Sequence, residues 1–465
     1  MDRQLDMVVN RLPEPTWNRL NMNETKLAGV AIPAEADYQI ITAENTKVRK
    51  LGADASKLGT DTSKTKSGSE STVENSSTVS IDTKDSKNLW DSIETGMGDD
   101  ITKLGQGITP NLFIVSTACK DISDYETVKS DAACDETNNS DITIIKDKNQ
   151  ATTELAGSEL TRKDVTVINI KENGANTFAS FLIYANKGTH SHFAFICQSR
   201  KTNKGTIGTD TSLSESEGCS SAAFDGLERK SASDFANTEA TTDYTTGSIL
   251  TVQVKIIAEE NASVRVSCVQ ALGGNATGIF DIGGICKNNA NIELTRLELG
   301  AAKQYTGCCI GLDGTSSSFA ADIGYKESDS QHLDMNYIAR HRGRHTTSRM
   351  NITGVLRDNA FKIFRGSIDF LSGCSGAKGD EQEEVLLLGD DVVNQTVPLI
   401  LCAEEDVEGN HGATIGEIDE RTLFYLASRG IARKEAEQLI ARARIEAVSE
   451  LLPLPEMRKL VSSYL

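Results

Sequence analysis

From residue 247 onward, short runs of apolar and β-branched residues recur along the chain, broken by Asn, Gly, Asp and Ser. They occupy 249–257, 264–269, 279–286, 292–299, 305–312, 319–325, 350–356, 361–370, 385–388 and 397–402. From the centre of one run to the next, most steps are roughly 13 to 16 residues, a repeat of strand-sized units. Many connections are too short to hold a crossover helix, which excludes a doubly wound parallel sheet. An antiparallel sandwich would need hairpin turns and clean alternation. A parallel β-helix stacks coils on one another and tolerates irregular corners. The absence of Asn-Gly hairpins from residue 247 onward, the scarcity of aromatics and the broken alternation in NNANIELTRLELG, where Thr295-Arg296 reads as a corner, favour the β-helix.

The period changes after Asp419. Asp419 suits an N-cap, Leu423, Phe424 and Leu426 follow at helical spacing, and Gly430 stands where a helix ends in a left-handed residue. Residues 432–452 then place Ala436, Leu439, Ile440, Ala443, Ala447 and Leu451 on one face of an amphipathic helix of about five turns. Pro453 and Pro455 end it, and a short helix closes the chain. At the other end, residues 53–88 are Ser, Thr, Lys, Asp and Glu with almost no large apolar side chain, too little to offset chain entropy. The pattern divides the chain into an N-terminal lead-in over 1–52, with Trp17, Leu20 and Leu27 pinning a short helical segment; a disordered linker over 53–105; a β-helix core over 106–410 with a long loop at 201–245; and a helical domain over 411–465.

Composition narrows the function classes. The net charge of −19, from 48 basic and 67 acidic residues, repels a phosphate backbone, so nucleic acid is not an expected partner. No run reaches the ~18 apolar residues of a membrane span, and the N-terminus lacks the apolar core of a secretion signal, which points to a soluble, cytoplasmic protein. Ten cysteines occur without a CxxC pair, so neither a zinc ribbon nor a disulfide framework is indicated. Cys308 and Cys309 point to opposite faces of any strand.

The chemistry-bearing motifs are few. The chain has no phosphate-binding loop, no nucleophile elbow and no HExxH helix. His341 and His345 have i,i+4 spacing, but Gly343 and Thr346-Thr347 oppose a helix there, and a basic edge with Arg340, Arg342 and Arg344 is the simpler reading. His190 and His192 alternate in a strand-like segment with no carboxylate or cysteine nearby in sequence. His411 differs: it follows an acidic stretch and stands at the seam between the β-type and helical halves, where an imidazole can bind a metal or a partner.

The segments FKIFRGSIDF at 361–370, EEVLLLGDDVVNQTVPLILCAEEDVEGNHGATIGEID at 383–419 and LFYLASRGI at 423–431 resemble the SufB/SufD family of iron–sulfur cluster assembly proteins, the SufD branch more closely. LDMNYIARHRGRHTTSRMNITGVLRDNA at 333–360 and NRLPEPTWNRL at 10–20 also look like family blocks. The resemblance implies a mainly β protein, a right-handed parallel β-helix flanked by helical parts, that is not an enzyme. It implies pairing with a SufB-like protein, or with a second copy, and docking of a SufC-type ATPase that would supply the missing phosphate loop. His411 matches the histidine that SufD proteins present near the nascent cluster, and the SufB scaffold's cluster-ligating cysteine falls near Glu383. Leu423, Phe424, Tyr425, Arg429 and Gly430 are the expected ATPase-docking residues. No permanent cofactor is implied, only transient iron or an iron–sulfur cluster between subunits. Gly409 stands where many relatives have cysteine two residues before that histidine; Glu383, Cys374 or Cys402 could substitute for the scaffold's missing cluster-ligating cysteine. A SufB-like homodimeric scaffold is the alternative. A carbohydrate-active β-helix enzyme would need clustered carboxylates in a groove, which the sequence does not display.

Overall fold

The computed structural model describes residues 4–15, 22–31, 33–35, 37–43, 46–50, 90–104, 112–116, 164–199 and 247–465. The Ser/Thr-rich 53–88 tract, the 201–245 loop, Trp17 and Leu20 lie outside them.

From Ile249 to Gly416 the chain alternates between two parallel sheets. In sheet I, Ile249–Ala258 pairs in register with Thr277–Cys286, and the stack continues through Lys303–Leu312, His332–His341 and Phe361–Phe370 to Val393–Cys402. Sheet II runs likewise from Ser263–Leu272 to Val407–Gly416. A coil is two strands and roughly 28 residues, so the step of about 14 legible in the sequence is the distance from one sheet to the other. The expected parallel β-helix is the fold. Val165–Glu172, Thr177–Ala185 and His190–Ser199 extend both sheets at the opposite end.

Each strand sends alternate side chains inward, where Phe181, Phe195 and Phe280 meet edge to face with ring centroids 5.4 and 6.1 Å apart. At one corner of successive coils a single residue takes positive φ: Asn261, Asn289, Ser316, His345 and Gly376. Each donates its backbone N–H to a carbonyl of the next coil, at 2.7 to 3.0 Å. His345 is therefore a turn residue, a role that Asn and His fill more readily than bulkier side chains.

Several expectations change in detail. Asn291–Gly300 is one continuous strand with no corner at Thr295-Arg296. Arg296 points inward, fully buried, and pairs with Glu298 on the same row. Leu297 and Leu299 face outward under the C-terminal helices, so both faces of this half-strand are covered and the alternation vanishes. The N-terminal lead-in is not helical where described: Gln4–Val9 and Thr25–Ala31 pair antiparallel, with Leu27 buried between them. Within 53–105, residues 90–104 are ordered and include helix α1 (Asp99–Leu104). Trp90, Ile93, Met97, Ile101 and Leu104 bury themselves against the outer face of sheet I. This segment passes so close that a Cβ at Gly307 would fall 2.4 Å from Met97 N. The sheets also continue to Gly416, which moves the start of the helical part beyond residue 411.

Helices α2 (Glu420–Ser428), α3 (Arg433–Ser449) and α4 (Pro455–Ser462) close the chain. Asp419 occupies the α2 N-cap without a side-chain capping bond, and Gly430 takes φ +84° as expected. The buried face of α3 is rotated from the predicted one: Ala441, Ile445 and Val448 pack with Leu297, Val355 and Leu386, and of the predicted stripe Ala436 is buried while Leu439 and Leu451 are 56% and 52% exposed. The helix carries two apolar stripes, and the outward leucines and valines of sheet II select the one with larger β-branched side chains. A fully buried Ile or Val contributes about 1.5–3 kcal/mol.

Candidate functional site

The last coil leaves the solenoid open. Among the described residues, Val393–Cys402 pairs only with Phe361–Phe370, and Val407–Gly416 only with Ala377–Leu388. Their outer edges carry backbone N–H and C=O groups with no strand beside them, a template for another chain. His411 lies in the middle of this edge strand, exposed, in register with Glu381 on the strand below. Both belong to the row that faces the interior. Gly409, two residues earlier on that row, sits over Phe370 and Ile400, where a Cβ would lie 3.0 Å from Phe370 Cε2 and 3.1 Å from Ile400 Cγ2. Cys402 ends the facing strand and is the exposed thiol among the seven described cysteines; Cys374 is buried.

Directly beneath the open coil is a charged layer. Lys362 reaches across from sheet I to pair with Glu383 of sheet II, both essentially inaccessible to solvent. The second oxygen of Glu383 accepts a 2.7 Å hydrogen bond from Thr396 Oγ1. Burial drives the Lys362 ammonium pKa down against the opposing pull of Glu383. Glu381, only 3% exposed, extends over Gly366. Its carboxyl is pushed up to about 8, first by burial and then by the neighbouring Glu383. The layer holds two carboxyl groups for one lysine.

The helical surface is a separate region. Leu423 is buried against the solenoid end, whereas Phe424 and Tyr425 are 77% and 55% exposed. The Arg429 guanidinium lies 5.1 Å from the Tyr425 ring centroid, a cation–π contact that braces the aromatic outward. Behind α2, a cavity of about 230 Å³ is lined by Leu387, Leu388, Ile418, Leu423, Arg433 and Glu437. Arg433 links α2 to α3 through Glu420 and Glu437, and Glu437 reaches Arg357 of sheet II at 3.6 Å.

The structure thus groups the residues singled out in the sequence differently from their order in the chain. Leu423, Phe424, Tyr425, Arg429 and Gly430 share one helix and its C-terminus. Glu383 is not beside His411: register sets it against Ala413, and both its oxygens are engaged. The neighbour of His411 is Glu381, which only the strand register reveals. His341 points into the solenoid, and His192 is buried on the outer face of sheet II. His341 bonds Thr346 and Ser348 through its two nitrogens, both at 2.8 Å, and His192 bonds Ser267 at 2.9 Å; burial lowers each imidazole pKa to about 4. Among the described residues, no group of three or more His, Cys, Asp or Glu converges to hold a metal ion, and no helix is long and apolar enough to cross a membrane.

Residues 227–444 match the family described as SUF system FeS cluster assembly, SufBD core domain. Similar curated proteins are the iron–sulfur cluster assembly SufBD family proteins of Staphylococcus saprophyticus, 25% identical, and of Staphylococcus haemolyticus and Staphylococcus epidermidis, each 26% identical. Each similarity extends over 223 residues, 47% of this chain and 48% of the relative, so the chain spans about half the length of the curated relatives it matches. The matched region coincides with the regular coils, the open end and most of α3. Residues 227–444 are thus similar to the SufBD core domain of iron–sulfur cluster assembly proteins.

Proposed function

We propose that this chain is a SufD-like, non-enzymatic subunit of an iron–sulfur cluster assembly complex. It pairs with a SufB-like protein through the open end of its solenoid and docks a SufC-type ATPase on α2. The observation that carries this reading is the terminal coil: among the described residues, two parallel edge strands are unpaired on their outer sides, and His411 is exposed on one of them. Natural sheet proteins cover or blunt such edges unless a partner completes them. Phe424 and Tyr425 supply a second, independent surface of exposed aromatic area, the kind of anchor that dominates binding energy at protein interfaces. The iron or nascent cluster is cargo, held between subunits rather than by this chain alone.

Native mass spectrometry of the complex purified from its own cells tests the reading. The expected species contains this chain, a SufB-like chain and the ATPase. A species containing two copies of this chain and a stable cluster would instead support the homodimeric scaffold. Replacing Phe424 and Tyr425 with Ala should remove the ATPase while leaving the solenoid pair intact; undiminished ATPase binding would refute the docking assignment.

A further inference from the structure

Neighbouring coils of the solenoid are matched by charge along their surfaces. Arg265 pairs with Glu293 of the next coil at 2.6 Å, Asp322 with Arg349 at 3.2 Å and Lys378 with Glu408 at 2.8 Å. At one corner between the sheets, Lys187 meets Glu260 at 2.6 Å, and Asp313 lies between Lys287 on one side and Arg342 on the other, at 3.8 and 2.9 Å. The matching stops at the open end. No lysine or arginine occurs between Lys378 and Arg421, where thirteen residues are acidic. Val393–Cys402 carries no charge, but Asp390 and Asp391 precede it and Glu404, Glu405 and Asp406 follow it. The same three residues lead into Val407–Gly416, and Glu417 and Asp419 lie beyond its end. Among the described residues, ion pairs in this stretch engage Glu383, Glu384, Glu408 and Glu420 and leave those seven carboxylates unmatched.

A coil stacked beyond the last one is where the next counter-charges would stand, and a second copy of this chain cannot supply them. If two copies paired antiparallel, the start of each edge strand would face the end of the other; if they paired parallel, each rim would face itself. Both ends of both edge strands are acidic, so either arrangement sets carboxylate against carboxylate, which disfavours self-pairing. We propose that the open end is keyed by charge: its edge strands accept the end coil of an unlike chain that brings lysine or arginine to the rim, and the acidic rim turns away a second copy. The inference rests on the reading above that another chain completes this end, and it adds the chemistry by which that chain is selected. Exposed ion pairs contribute little affinity. Rim charge acts instead through the rate of productive encounter and through rejection of the wrong partner.

Two variants of the full chain test this. Asp390→Asn/Asp391→Asn/Glu405→Gln/Glu417→Gln neutralises the rim, and Asp390→Lys/Asp391→Lys/Glu405→Lys/Glu417→Lys reverses it. Glu404 and Asp406 are left in place because they accept hydrogen bonds from the Gly373 N–H and from Ser375 Oγ. The four changed residues are exposed and unmatched, so the neutral variant should melt with the wild type. Sedimentation velocity in about 50 mM and about 500 mM NaCl reads self-association, and stopped-flow mixing reads how fast each chain rejoins the pairing subunit separated from the native complex. Wild type alone should stay monomeric at low salt, and the neutral variant should self-associate at least about tenfold more tightly. Wild type should rejoin the pairing subunit at least about tenfold faster at low salt than at high salt. The reversed variant at low salt should be at least about tenfold slower than wild type, with dissociation rates little changed. Undiminished association of the reversed variant, or a neutral variant no more self-associated than wild type, would overturn the proposal. A pairing subunit that joins the wild type at a salt-independent rate would remove this inference alone. A native complex without a second solenoid chain, found together with increased self-association of the neutral variant, would remove the functional reading and leave the self-repulsion standing.

Discussion

Replacing Lys362 with Met tests whether the charged layer beneath the open coil is held by the Lys362–Glu383 pair. The pair is 0% and 1% exposed, so the variant leaves Glu383 with no counter-charge and no access to water. Breaking a buried pair by removing one partner costs about 3–5 kcal/mol. Denaturant melts, with hydrogen exchange of amides 393–416 as a local probe, measure this loss directly. Lys362→Met/Glu383→Met should recover to within about 1 kcal/mol of wild type, because an apolar replacement of both partners leaves no orphaned charge. A penalty below about 1 kcal/mol would refute the reasoning.

His341 is buried neutral with its pKa lowered to about 4 against an ordinary 6.5, so its contribution is present above pH 6.5 and lost as pH falls toward 4. His341→Gln should flatten the stability profile in that window, as read by thermal melts. Gly307→Ala should destabilise by about 1–3 kcal/mol, because the added methyl meets Met97 N at 2.4 Å, and limited proteolysis should show residues 90–104 cut earlier. Among the described cysteines, Cys402 should react first with a thiol-alkylating reagent, and pairing at the open end should protect it; peptide mapping by mass spectrometry reads both outcomes.

Much of the solenoid was legible because its inward rows repeat at a fixed spacing. The strand His332–His341 escaped notice because its outward residues, including Asp334, Asn336 and Arg340, are polar yet covered: Asn10 bonds Asp334 at 2.7 Å, and Asn336 bonds the Gly96 carbonyl at 2.8 Å. Their partners lie hundreds of residues away, beyond any local pattern. Val407–Gly416 was hidden for the opposite reason. Its inward row, Val407, Gly409, His411, Ala413 and Ile415, faces no further coil and needs no large apolar side chains. The same lack of a local signature concealed Glu381, since only pairing across about 30 residues sets it beside His411. The α3 face was misread because Leu439 and Leu451 are the larger residues of their stripe, while the surface of sheet II selects Ile445 and Val448.

The segments that cross the outside of sheet I also change how the molecule should come apart. A stack of coils bound only to neighbours unfolds as a one-dimensional array, fraying from whichever end is weaker. Here Met97 N–H bonds Asp281, Gly96 bonds the Ile282 carbonyl and receives Asn336, Arg340 pairs with Glu94, and Arg365 holds the Met22 carbonyl and Asp334. Strands as far apart as Thr277–Cys286 and Phe361–Phe370 are thereby fastened to the same early stretches of chain. The coils they span should melt as one cooperative block rather than in sequence, and Val397 of the last coil, packed with Leu12 and Met22, belongs to that block, which leaves Val407–Gly416 as the strand free to move when a partner pulls on it.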